Sequence, residues 1–304
     1  MKYGVIDLGS NTIRLCIYDI TGTVPKFKTL LNRKAVVGLA SYIEDGVLTQ
    51  TGIDAALTAL LKQLKRVRIF EPERLDIFAT AVLRNISNGE EVVQYLSEAI
   101  NEPIHVLSDY DEAHLGFVGA SFGDPLTHGM LVDIGGGSTE LTRVTHAQDE
   151  WSVSVSQGCL SIYEHCVADV LPTKDEQKKL HTYFAHALAQ CIKGTSIQVE
   201  TLYGVGGSVR ALGKVNAALQ PGRNEKVLEA DDLNYLFKCL HHDRKRFINA
   251  VVRVAPERLH TIACGLCIID EIFKESGAKT LRVCKYGVRE GYVLERMLQY
   301  SARV

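Results

Sequence analysis

The chain has 304 residues, 46% of them hydrophobic and 23% charged, with 34 basic side chains against 36 acidic ones. This balance excludes a disordered polyelectrolyte. The net charge of −2 removes any global attraction to nucleic acid or to an anionic membrane, so an anionic ligand has to be held by local groups.

The opening MKYGVIDLGSNTIRLCIYDI enters a strand pattern at once, without the basic, apolar and small-residue zones of a secretory signal. A cytoplasmic location is expected, and no window reaches the ~20 apolar residues of a spanning helix. Residues 3–7 and 13–20 read as strands joined by the turn Gly9-Ser10-Asn11-Thr12, with a third strand over 27–38. Ile53, Ala56, Leu57, Leu60, Leu61, Leu64 and Val67 are spaced for a helix over 51–69. A strand at 75–80, a helix near 88–100, a strand at 104–107 and a helix at 109–121 follow. Strands alternating with helices indicate an α/β domain with a mixed sheet.

Gly123-Asp124-Pro125 punctuates this pattern and sets the expected boundary between domains 1–124 and 125–304, with a hinge near 122–128 and the last helix free to return to the first domain. Beyond it, GMLVDIGGGSTELTRV repeats the strand, glycine turn and strand. Val5 to Thr12 and Val132 to Thr139 share an apolar–Asp–apolar–Gly pattern ending in Ser and Thr, an internal repeat of one element. The remaining expectations are a strand at 151–156, helices near 159–169 and 174–192, a strand at 201–205, and a glycine turn Gly206-Gly207-Ser208 before a helix at 208–218. Helices near 231–240, 243–253 and 256–275, a strand at 281–284 and a helix at 288–300 complete the chain.

Two strands joined by a glycine turn gather backbone N–H groups into one concavity, and neighbouring hydroxyls add donors; such a nest holds phosphate. An Asp just before the turn can hold a metal ion or orient water. A single turn needs glycine for its backbone alone, but two Asp-containing turns and a third Gly-Gly-Ser together read as a phosphate site. The eight cysteines are scattered, and Cys264 and Cys267 form a CxxC inside a helical apolar run, which reads as core packing. Lys62, Lys65, Arg66 and Arg68, and Arg244, Lys245 and Arg246, suit either a track for a long polyanion or a solvated helix face.

The duplicated arrangement resembles the acetate and sugar kinase, heat-shock ATPase and actin superfamily. That resemblance implies two ribonuclease H-like (actin-like ATPase) domains, α/β with mixed sheets flanked by helices, and an interdomain cleft that takes a nucleotide or phosphate. Within it, DLGSNTIRL (7–15), ATAVLRNISN (79–88), SDYDEAHLGFVGA (108–120), VDIGGGSTEL (132–141), GVGGSVRAL (204–212) and YGVREG (286–291) resemble, in order, the motifs of the exopolyphosphatase and guanosine pentaphosphate phosphohydrolase (Ppx/GppA) family in its short two-domain form. The resemblance implies Mg2+-dependent hydrolysis of a terminal phosphoanhydride on inorganic polyphosphate, or alternatively on guanosine pentaphosphate. A non-catalytic sensor of either ligand is a third reading.

Residue by residue, the resemblance places the catalytic glutamate at Glu112 and a phosphate-gripping arginine at Arg84, in a loop after a strand. The bland alternative is that Asp109, Asp111 and Glu112 only cap a helix. Ser10, Asn11 and Thr12 match the first phosphate loop, and Gly135, Gly136, Gly137, Ser138 and Thr139 the second. Gly206, Gly207 and Ser208 offer a further phosphate contact. Asp133 and Glu140 flank the second loop as holders of Mg2+, with Asp7 as a counterpart that equally serves to anchor its own loop. Arg289 reads mainly as a helix-end residue. The family's usual Ser-Gly is here Ser108-Asp109, and the added carboxylate beside Glu112 is expected either to raise the Glu112 pKa or to repel a polyanion, which puts substrate preference in question. His241-His242-Asp243 reads as the junction of two helices rather than a metal motif. Family members are often dimeric, so a homodimer is an expectation of the resemblance, although no heptad seam marks one.

Overall fold

In the computed structural model the protein is described over residues 1–301, with side chains as far as residue 298. It divides into two compact units, Met1–Glu112 with the segment from Tyr292 onward, and Ala113–Gly291. Each is built on one mixed sheet.

In the first unit, apolar residues fill both faces of β1 (Lys2–Leu8), so that past Lys2 only Asp7 escapes full burial. β1 pairs antiparallel with β2 (Thr12–Thr21), and β2 pairs with β3 (Lys26–Val36). A 3-10 turn at Leu39–Tyr42 and a small hairpin, β4 (Ile43–Glu44) with β5 (Val47–Leu48), lead to α1 (Gln50–Phe70). Thr49 caps α1 by accepting from the Gly52 N–H at 3.3 Å. The buried face of α1 carries Ala56, Leu60, Gln63 and Val67. Gln63 is fully buried and donates to the carbonyls of Ile13 and Arg33, which removes the penalty of an unpaired amide. β6 (Arg74–Ala79) lies parallel to β1, α2 (Ala81–Arg84) and α3 (Gly89–Ile100) follow, and β7 (Ile104–Val106) lies parallel to β6. The strand order is β3-β2-β1-β6-β7. The returning C-terminal segment packs the Tyr292 ring 4.9 Å from that of Phe78, and Arg296 donates to the Tyr292 hydroxyl from Nε and Nη2.

The second unit begins inside α4 (Asp109–Gly123) and repeats the plan. β8 (Gly129–Ile134) is buried except at Asp133, pairs antiparallel with β9 (Thr139–Thr145), and β9 with β10 (Gln148–Val155). Helices α5 (Cys159–Cys166) and α6 (Lys174–Cys191) precede β11 (Thr201–Val205), which lies parallel to β8. α7 (Gly206–Leu219), β12 (Val227–Glu229), α8 (Ala230–His242), α9 (Arg244–Val254), a 3-10 turn at Pro256–Arg258, α10 (Ile262–Ser276), β13 (Thr280–Val283) and α11 (Val288–Ser301) follow. The order is β10-β9-β8-β11-β13-β12, the first unit's plan plus one antiparallel edge strand. Its core centres on fully buried α6 and α10 residues such as Phe184, Leu188 and Leu266; truncating Leu188 to Ala would cost about 2–5 kcal/mol. Cys264 and Cys267 sit fully buried in this core, and burial pushes both thiols well above their usual pKa.

The structure differs from the sequence reading in definite places. The units divide within α4 and α11 rather than at Gly123-Asp124-Pro125, which ends a helix. From Ala113 onward α4 packs with the second unit: a side chain at Gly119 would overlap the Gly287 carbonyl, and one at Gly291 the Leu115 carbonyl. Gly206-Gly207-Ser208 is the first turn of α7, not a loop before it. The helix expected over 256–275 is broken between the 3-10 turn and α10. His241-His242-Asp243 is the α8–α9 junction. Among the described residues no helix is long and apolar enough to cross a membrane.

Candidate active site

In each unit the predicted site residues collect at one sheet edge, the carboxyl ends of neighbouring parallel strands, where α/β sheets leave a crevice for ligands. In the first unit these ends belong to β1, β6 and β7. After β1, the turn closes with the Gly9 N–H on the Thr12 carbonyl at 3.1 Å, and the carbonyls of Ser10 and Asn11 accept from Ala40, Val37 and Gly38. Those acceptors fix the loop, with Ser10 and Asn11 almost fully buried. After β6 comes Arg84, the last residue of the four-residue helix α2 rather than a loop residue. After β7 come Ser108 and α4.

Three carboxylates crowd the start of α4 and have three different jobs. Asp111 caps the helix: the Ser108 hydroxyl donates to Asp111 Oδ2 at 2.7 Å and accepts from the Asp111 N–H at 3.0 Å. Glu112 turns away and accepts from Arg84 Nη1 at 2.9 Å, an atom that also donates to the Leu107 carbonyl at 2.8 Å. Asp109 reaches Arg84 Nη2 at 2.5 Å. Side-chain exposure separates the two partners of Arg84, 11% for Glu112 against 57% for Asp109. Arg84 itself is 13% exposed, and its Nε is buried with no hydrogen-bond partner among the described residues. A buried guanidinium with one arm unused suits an oxyanion.

In the second unit the turn after β8 closes in the same way, Gly135 N–H to Ser138 carbonyl at 2.9 Å. Its Gly135 and Gly136 carbonyls accept from the first N–H groups of α5. Asp133 and Glu140 are register partners on β8 and β9, so their side chains project from one face. Ser154 orients Glu140 by donating to Oε1 at 3.0 Å. Gly206 keeps room at Asp133: its φ is 91°, and a Cβ there would lie 2.8 Å from Asp133 Oδ1. Two carboxylates on one face beside a glycine cradle form a donor set that fits Mg2+. Asp7 is different, because its register partner is Arg14. The Thr139 hydroxyl is engaged with the Gln157 carbonyl at 2.8 Å, and that of Ser208 accepts from Cys159 Sγ at 3.2 Å and Arg258 Nη1 at 3.4 Å.

Two arginines at this edge escaped the sequence reading. The Arg258 guanidinium fills the space a Cβ would take at Gly207, at the start of α7. Arg210, one turn further on, has its pKa lowered, first by burial and then by Arg289, while Asp133 and Glu290 oppose the shift. Arg289 stands in the first turn of α11. The basic runs lie elsewhere: Arg244 and Arg246 donate to the carbonyls of Leu171, Pro172 and Leu219, and Lys62, Lys65 and Arg68 are exposed on α1.

Residues 16–300 match the Ppx/GppA phosphatase family. The chain belongs to this family. Among solved structures it is similar to an exopolyphosphatase from Cytophaga hutchinsonii, with 26% identity, 98% of each chain covered and a TM-score of 0.83. It is also similar to the Ppx/GppA family member of Aquifex aeolicus, with 23% identity, 99% of this chain and 98% of that one covered, and a TM-score of 0.76. An exopolyphosphatase-like protein shares 18% identity over 99% of this chain and 100% of that one, at a TM-score of 0.80. The fold shared with these proteins is the one that the Ppx/GppA resemblance implied, two α/β units with mixed sheets flanked by helices.

Proposed function

We propose that this Ppx/GppA protein is an Mg2+-dependent exopolyphosphatase, which hydrolyses the terminal phosphoanhydride of inorganic polyphosphate and releases orthophosphate. Family membership supports the reaction class, and the named exopolyphosphatase among its structural relatives supports the substrate. The observation that carries the residue assignment is the Arg84–Glu112 pair. With Asp111 serving as the helix cap, Glu112 is left to act on a ligand, next to a guanidinium with an unused buried nitrogen.

In this reading the Glu112 carboxylate takes a proton from water as the water oxygen bonds to the terminal phosphorus. The bond to the bridging oxygen breaks, and the shortened chain leaves with that electron pair. Arg84 holds equatorial oxygens, as do the donors of residues 10–12 in the same unit, since phosphoryl transfer asks the protein mainly for positioning and charge stabilisation. Asp133 and Glu140 would hold Mg2+, which screens the charge of the phosphate oxygens.

The test is phosphate release from long-chain polyphosphate and, separately, from guanosine pentaphosphate, for wild type and Glu112→Gln. A loss of about 100-fold or more in the variant is expected for removing a general base. A higher kcat/KM on guanosine pentaphosphate would transfer the same chemistry to that substrate. No turnover of either, with tight binding unchanged by Glu112→Gln, would replace the hydrolase by a sensor.

A further inference from the structure

The second unit holds a cavity of about 390 Å3 that the reaction above does not use. Its rim carries the exposed cations Lys214, Lys226, Arg282 and Lys285, and Arg210 lies deeper. Asp124 and Glu225 are the acidic residues facing these five cations. Among the described residues Lys214, Lys226 and Arg282 make no ion pair, and with five cations against two carboxylates the concavity keeps a positive excess. The floor is apolar, formed by the buried Tyr203 and Cys284 and by half-buried Val283. Burial, with Asp124 as the next cause, pushes the Cys284 thiol up to about 12, so the floor stays uncharged at neutral pH.

We infer that this cavity binds a nucleoside diphosphate, with the base on the apolar floor and the phosphates on the cationic rim. Size and lining select the ligand class. The volume lies within the roughly 300–1,000 Å3 of small-molecule sites, far more than an orthophosphate needs, and an oligophosphate has no use for an aromatic and aliphatic floor. The inference does not depend on the hydrolase reading, because its readout is binding without turnover.

The experiment is calorimetric titration of the full chain with GDP, with pyrophosphate and guanosine as comparators, for wild type, Lys214→Ala/Arg282→Ala and Glu112→Gln. GDP should bind at least about tenfold more tightly than either comparator, and the rim variant should weaken it by about tenfold or more, the loss expected for charge-assisted hydrogen bonds. Glu112→Gln should leave GDP affinity unchanged. The inference is overturned by a wild type that does not bind GDP, by a rim variant that binds it as well as wild type, or by pyrophosphate binding as tightly as GDP.

Discussion

The turns at Gly9–Thr12 and Gly135–Ser138 have one backbone and two electrostatic solutions. Both follow a buried central strand whose half-exposed residue is an Asp, and both close through the same N–H to carbonyl bond. Across the hairpin, however, Asp7 faces Arg14 whereas Asp133 faces Glu140. The first pair sets opposite charges at facing register positions. The second pair sets two carboxylates at facing register positions, on strands joined by a glycine-rich loop. The duplicated fold thus keeps its turn geometry while the charge set across each hairpin differs.

The comparison breaks most visibly at Arg14. Arg14→Glu would copy the second unit's pair into the first and put a buried carboxylate opposite the half-exposed Asp7, lowering stability by about 3–5 kcal/mol, read as a fall in Tm without Mg2+. A Tm unchanged by this substitution would show that the pairing is incidental. Next comes Asp133→Asn, expected to lower kcat/KM on polyphosphate by about 100-fold and to raise the half-saturating Mg2+ concentration by about tenfold or more. Asp7→Asn should leave that concentration within a factor of about three; equal shifts from both would erase the distinction. Gly206→Ala forces a side chain into positive φ beside Asp133, and should lower stability by about 1–3 kcal/mol along with activity.

A carboxylate far from both turns calibrates the series. Glu176 closes the cap of α6, where hydrogen bonds from the Thr173 and Ala168 N–H groups lower its pKa. A lowered folded-state pKa gives stability that is present above the unfolded pKa and lost as pH falls through the folded value. Glu176→Gln should therefore cost about 1 kcal/mol at neutral pH, with the difference from wild type vanishing below the ordinary glutamate range and the Mg2+ dependence untouched. The smallest effect falls at Asp109, which pairs with Arg84 and in the proposed function would compete with phosphate for it. Asp109→Asn should lower KM for polyphosphate by a few-fold, in keeping with the roughly 0.2–1 kcal/mol of an exposed ion pair, while kcat holds.

The sheets and both turns were legible because apolar strands flanking Gly, Ser and Asn leave few alternatives. The capping role that the sequence offered to Asp109, Asp111 and Glu112 alike falls to Asp111 with Ser108, while Glu112 pairs with Arg84. The four-residue α2 is too short to show a period, so Arg84 read as a loop residue. Gly206-Gly207-Ser208 read as a turn, although only Gly206 needs a positive φ and the helix starts there. Arg210 and Arg258 carry no local pattern, and Arg258 reaches the start of α7 only when distant segments pack.

The first unit is discontinuous in sequence, and that sets an order of assembly. Phe78 of β6 lacks its ring partner until Tyr292 has been added, whereas the second unit is a single stretch ending at Gly291. On a ribosome adding about 5–20 residues per second, the half encoded first is therefore the half completed last. Chains truncated just after Gly291 should resist protease across the second unit and be cut in the first, because the segment from Tyr292 onward completes the first unit.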